Sequence, residues 1–190
     1  MSLICLPEYV FIHNPKTGGT SIRGMLGDRA TWRDPKAHLS AEEMRGKICV
    51  DEQNTAAWNK AFKFAFVRNP YDWVESYRVE VMQYATHPMH STSLNPVKWA
   101  EAFSMACAEE REVSVGKMLF QSEIVGRDIL DEIFRFEQFN WSCMRIQNIL
   151  GIDVPIPHSN AKEYEPVRDP EYRSVIRELF AVDFERFGYA

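Results

Sequence analysis

Apolar residues in this chain fall into short β-like runs, each followed by a turn signal and then by apolar positions at helical spacing. Tyr9-Val10-Phe11-Ile12 is a continuous β-prone run that predicts a buried strand. Adjacent glycines follow, and Ile22, Met25 and Leu26 then recur at helical spacing, so the unit reads strand, glycine turn, helix. Phe62-Lys63-Phe64-Ala65-Phe66-Val67 predicts a second strand that stops at Arg68. Asn69 is placed to cap a helix there, with Pro70 as its first residue. Val74, Tyr77, Val81 and Tyr84 mark one face of that helix, which makes a second strand–turn–helix unit.

Residues 28–60 are polar and carry one clear signal, a helix capped by Ser40 with Glu43 completing a capping box. Residues 87–96 read as a loop and 97–110 as a helix, with a further short helical piece within 117–125. Ile133-Phe134-Arg135-Phe136 predicts another strand, after which Phe139, Cys143, Ile146 and Leu150 mark a helix face closed by Gly151. Residues 153–170 contain four prolines and predict a long loop. Asp169-Pro170 then opens a last helix, with Tyr172, Val175, Ile176, Leu179 and Val182 facing inward. Strands alternating with helices predict an α/β fold in three layers around a mostly parallel sheet. At 190 residues the chain has the length of one domain, 1–190, with a substantial core.

Composition narrows the function classes. A net charge of −5 disfavours a general nucleic-acid binder, because nothing in the chain would track a phosphate backbone. Cys5, Cys49, Cys107 and Cys143 are scattered without metal-ligand or redox spacing, which predicts free thiols in a reducing compartment. No apolar run has the length of a transmembrane helix, and no basic flank precedes an apolar stretch near residue 1. A cytoplasmic protein without a membrane partner is the expectation.

The glycine turn after the first strand carries the most specific chemistry. Adjacent glycines let backbone N–H groups approach an anion closely, and the start of a helix adds a favourable dipole. Lys16 supplies a positive charge beside Gly18 and Gly19, and Thr17, Thr20 and Ser21 supply hydroxyls. An ATP-type phosphate loop places its lysine after the glycines, followed by Ser or Thr. Here Lys16 precedes them, which disfavours that class.

Phe11-Ile12-His13-Asn14-Pro15-Lys16-Thr17-Gly18-Gly19-Thr20-Ser21 resembles the 5′-phosphosulfate loop of sulfotransferases that use 3′-phosphoadenosine-5′-phosphosulfate (PAPS), most nearly their carbohydrate and membrane-associated branch. Phe66-Val67-Arg68-Asn69-Pro70-Tyr71-Asp72-Trp73-Val74-Glu75-Ser76 resembles the same family's 3′-phosphate motif, with Arg68 and Ser76 at its two binding positions. A guanidinium suits bidentate phosphate recognition. Weaker likenesses occur at His38-Leu39-Ser40, at Gln121 with Arg135-Phe136-Glu137, and at residues 158–162.

The resemblance implies a P-loop-like three-layer α/β/α domain that transfers a sulfuryl group from PAPS to a hydroxyl of a carbohydrate or small-molecule acceptor, releasing PAP (3′,5′-adenosine diphosphate) without a metal. Lys16 is implied near the leaving oxygen, with Thr17, Gly18, Gly19, Thr20 and Ser21 around the phosphosulfate. For the base that takes the acceptor proton, His38 resembles the position used by the branch with a histidine, while Glu42 and Glu43 stay open. His13 reads as a structural neighbour of the loop, and Lys162 and Arg168 as loop charges. The chain is shorter than most of that family, which implies a trimmed acceptor cleft and leaves a homodimer open as the way to complete it. Two other readings stand beside this one: a P-loop phosphotransferase acting on a nucleotide or metabolite, and a non-catalytic nucleotide-binding relative.

Overall fold

The structure is a computed structural model that describes residues 2–33, 39–109, 112–113, 116–117, 119–157 and 167–190. The chain divides into two compact units: Met1–Val67 with Glu123–Ala161, and Arg68–Ser122 with Lys162–Ala190.

In chain order the elements are β1 (Leu3–Cys5), β2 (Tyr9–Ile12), α1 (Gly19–Leu26), β3 (Trp32–Arg33), α2 (Ala41–Ile48), α3 (Glu52–Lys60) and β4 (Phe62–Val67). There follow α4 (Pro70–Met82), α5 (His90–Ser93), α6 (Pro96–Ala108), β5 (Glu112–Val113), β6 (Gly116–Lys117) and α7 (Gln121–Val125). The last are β7 (Glu132–Arg135), α8 (Phe139–Leu150), α9 (Pro170–Leu179) and α10 (Ala181–Phe187).

The first unit is built on a five-stranded sheet in the order β3-β1-β2-β4-β7. β2 pairs in parallel with β4, from Tyr9 opposite Phe62 to Ile12 opposite Ala65, and β4 pairs in parallel with β7. β1 runs antiparallel to both β2 and β3, so the fold is α/β as predicted and its sheet is mixed. β1 and β3 escape the sequence pattern because three and two residues are too few to show a period. β2 is buried along its whole length and β4 nearly so, which is why both read as apolar runs, interrupted in β4 only by Lys63.

Alternation along β2, β4 and β7 sends Tyr9, Phe11, Phe64, Phe66 and Phe134 into one cluster. Ile22, Met25 and Leu26 of α1 and Cys143 and Ile146 of α8 complete it, matching the helix faces predicted from spacing. Phe64 stacks on Phe11 with centroids 5.3 Å apart and meets Phe134 edge-on at 6.0 Å, pairs that add to the area they bury. Lys63 is the one charged residue on β4, and its ammonium donates to the Ala61 carbonyl at 2.6 Å and pairs with Asp131 at 3.0 Å. The Ser40 cap forms the full capping box, with Glu43 N–H donating to Ser40 and Ser40 N–H donating to the Glu43 carboxylate.

The second unit is helical around an aromatic core of Trp73, Tyr77, Trp99, Phe103, Tyr172, Phe180 and Phe184. Trp99 Nε1 donates to the Val74 carbonyl at 3.1 Å, so its polar edge is satisfied inside the core. Pro70 starts α4 as predicted, with the Asn69 side chain accepting from Tyr71 N–H.

Several expectations are corrected here. Tyr84 lies beyond the end of α4 and is 55% exposed. The predicted loop 87–96 contains α5, and the helical piece within 117–125 begins only at Gln121. The last helix breaks at Phe180, so Val182 falls on the outer side of α10 at 65% exposure. Phe180 ends one helix and begins the next, and the phase of the apolar pattern changes there.

Candidate functional site

The loop after β2 is held by its own polar groups. Asn14 and Thr17 are fully buried. Asn14 Nδ2 donates to the Phe66 carbonyl at 3.0 Å, which ties the loop to the end of β4. Thr17 Oγ1 donates to the Asn14 carbonyl at 2.6 Å and closes the loop on itself. The Thr17 hydroxyl proton is therefore spent on the loop, and Thr20 is the more accessible of the two threonines.

Backbone conformation then sets the helix start. Lys16 has φ of 63° and Gly18 has φ of 82°, left-handed values on either side of Thr17. Left-handed backbone is routine for glycine and costly for lysine, and residues of this kind build the N–H concavities that hold anions. Gly18 is the N-cap of α1, and Ser21 and Ile22 N–H groups both donate to its carbonyl. By helix geometry, the N–H groups of the first turn point out of the N-terminal end, toward any anion placed there.

Both glycines are also required by packing. A Cβ on Gly18 would meet Phe139 at 2.6 Å and Phe136 at 3.1 Å, and a Cβ on Gly19 would overlap the imidazole of His13. Position 13 thus places a half-buried ring directly against the helix start, and its backbone N–H donates to Ser2 Oγ at 3.0 Å. The structure brings Lys16, Thr17, Gly18, Gly19, Thr20 and Ser21 together as one turn, with Lys16 and Thr20 half-buried and Ser21 at 4% exposure.

In the second unit, Arg68 follows the last residue of β4 and is half-buried, as is Ser76 on α4. Sequence reasoning left unassigned the groups that hold Arg68. Arg68 N–H donates to Gln121 Oε1 at 2.8 Å, and Gln121 Nε2 donates back to the Arg68 carbonyl at 2.7 Å. Gln121 N–H and Ser122 N–H donate in turn to the two carboxylate oxygens of Asp183, at 3.1 and 2.9 Å. Arg186 donates to the Ser122 carbonyl at 2.6 Å. Asp183 is fully buried; desolvation raises its carboxyl above the ordinary value, opposed by the Ser122 and Gln121 hydrogen bonds and by Arg186. A signal for it was present in the sequence, since Asp183 interrupts the apolar residues around Phe180, Phe184 and Phe187.

Beside Ser76 lies a second buried polar group. Glu75, with a side chain 3% exposed, accepts from Arg78 at 2.8 and 2.6 Å in a two-pronged pair. Tyr172 donates to the same carboxylate at 3.0 Å, and Arg78 also donates to the Ser93 carbonyl at 2.9 Å. The hydrogen bond that Arg78 donates to Glu75 is the main cause of a raised Arg78 pKa, so the guanidinium stays charged.

Of the base candidates, His38 lies outside the described residues. Glu43 is engaged in the Ser40 capping box, and Glu42 accepts from Arg127 N–H at 3.1 Å. Lys162 and His158 also lie outside the described residues, and Arg168 is exposed. Among the described residues no group of three or more His, Cys, Asp or Glu is placed to hold a metal ion, and no helix is long and apolar enough to cross a membrane. No protein-family model matches the sequence, and a search of curated proteins gives no match.

Proposed function

We propose that the chain binds PAPS and transfers its sulfuryl group to a hydroxyl of a carbohydrate or small-molecule acceptor, releasing PAP. The observation that carries this reading is the turn from Lys16 to Ser21, a left-handed lysine set before a glycine N-cap at the head of α1. A donor set of backbone N–H groups, one ammonium and a hydroxyl suits a doubly charged phosphosulfate. The lysine ahead of the glycines, and the arginine and serine of the second unit, supply the features that set PAPS apart from ATP. A P-loop-like three-layer arrangement belongs to the same reading.

In the proposed reaction the acceptor oxygen forms a bond to sulfur as the bond from sulfur to the bridging phosphate oxygen breaks. The acceptor proton passes to a base, for which His38 is the proposed group, and PAP leaves with the electron pair. Lys16 stabilises the charge that grows on the leaving phosphate, an electrostatic contribution that is strongest where water is excluded. Thr20, Ser21 and the first-turn N–H groups orient the phosphosulfate, and Arg68 with Ser76 takes the 3′-phosphate.

The test is a thermal-shift comparison of PAP, ATP with Mg²⁺ and 5′-AMP, because a ligand that binds only the folded state raises its stability. Stabilisation by PAP well beyond the other two supports the reading, and a larger effect of ATP with Mg²⁺ overturns it in favour of a phosphotransferase. Transfer from labelled PAPS to a panel of hydroxyl acceptors is the second step. PAP binding with no transfer to any acceptor would leave a nucleotide-binding protein without the catalytic step.

A further inference from the structure

At Arg68 the parallel ladder of β4 has ended, since the last paired residue is Val67 opposite Arg135. A backbone N–H and C=O at such a point need partners from outside the sheet. The primary amide of Gln121 provides both, acting as a one-residue strand: Oε1 accepts from Arg68 N–H and Nε2 donates to Arg68 C=O. The donor and acceptor of the backbone fix which way the amide is turned. Gln121 is fully buried, so water does not compete for either bond, and its backbone is pinned by Asp183, itself fully buried. The chain of contacts runs Asp183, Gln121, Arg68, all within the second unit.

Burial of a carboxylate and an amide is costly unless every polar atom is matched. Here matched groups converge on the backbone of a single arginine. A glutamine side chain that holds both backbone groups restrains φ and ψ at Arg68, and so sets the direction in which that long side chain leaves the backbone. We infer that Gln121, anchored by Asp183, is the positioning residue that aims Arg68 at the 3′-phosphate of the nucleotide. The inference rests on the proposed PAPS reading, in which Arg68 takes that phosphate.

The predicted consequence is selective. Loss of the positioning amide weakens ligands that carry a 3′-phosphate and spares those that lack one. Gln121→Met keeps the length and apolar body of the side chain and removes both hydrogen bonds. Its affinities for PAP and for 5′-AMP, measured by titration calorimetry beside the wild type, decide the question. The expected result is a fall of about tenfold or more in PAP affinity with 5′-AMP within twofold of wild type, the size of one misplaced charged hydrogen bond. Equal loss of both ligands, or an unchanged preference for PAP, overturns the inference. A wild type that shows no preference for PAP over 5′-AMP overturns the PAPS reading itself, and this inference with it. If Gln121→Met does not fold, Asp183→Asn, which leaves the Gln121 side chain in place, is measured in the same way. A selective loss of PAP affinity supports the inference there, and an equal loss of both ligands overturns it.

Discussion

The imidazole of His13 fills the space that a side chain on residue 19 would need. Strand β2 ends just before His13 and helix α1 begins at Gly19, so the first residue of the loop and the first residue of the helix are packed as a unit. Gly19→Ala is therefore expected to destabilise the fold by about 1–3 kcal/mol, the usual cost of overpacking. The double variant with His13→Ala is expected to recover most of that loss in urea unfolding. Additive losses in the two variants would show that the ring simply turns aside.

Lys16 separates charge from backbone strain. Lys16→Ala keeps the left-handed φ of 63° without the ammonium, whereas Lys16→Gly removes the strain as well. Lys16→Gly is expected to unfold at higher urea than Lys16→Ala, while under the proposed PAPS reading both lose at least about 10²-fold in sulfuryl transfer, as for one lost oxyanion donor. Transfer rates and unfolding midpoints on the same preparations check the two effects separately.

Glu75 and Arg78 form a buried pair, and removing one partner leaves the other charge without compensation. Glu75→Ala is expected to cost about 3–5 kcal/mol of stability. Replacing both by leucine is expected to cost less than the single change. Denaturant unfolding of the single and double variants gives the comparison.

Asp183 gives the stability a pH dependence of known sign. Its folded pKa is raised above the ordinary 3.8 mainly by burial, so the folded chain holds this proton more tightly than the unfolded chain. The contribution is fully present below the unfolded pKa and is lost as pH rises through the raised folded value. Wild-type stability measured relative to Asp183→Asn is thus expected to fall across that window and to level off above it. A difference that rises with pH, in unfolding curves taken from pH 3 to 7, would contradict the assignment.

Thiol labelling distinguishes the cysteines. Burial pushes the Cys143 thiol up to about 12 and also raises Cys5, and Cys107 is fully buried. Cys49 is the half-buried exception. With a disulfide reagent at pH 8, Cys49 is expected to react first and Cys143 only on unfolding. Mass spectrometry of the labelled peptides identifies which thiol reacts.

Much of the fold was legible because local rules and burial agree there. Tyr9–Ile12 and, Lys63 apart, Phe62–Val67 are apolar along both faces, and the Ser40, Asn69 and Asp169 caps act within three residues of themselves. The lysine-before-glycine turn was legible as a run of residue types, because Lys16, Gly18 and Gly19 are near neighbours in the chain.

The sequence by itself determined these local elements, their order and the residue types gathered at the turn from Lys16 to Ser21. Only the tertiary structure decided which partners complete them. The Gln121 amide on Arg68 and the Asp183 carboxylate on Gln121 join positions 53 and 62 residues apart. The pairing of Leu3–Cys5 with β2 and the His13 ring against Gly19, though nearer along the chain, are likewise set by packing. Periodicity and capping describe energies between near neighbours along the chain. Contacts of that reach appear only once the chain has folded and buried polar atoms must find partners.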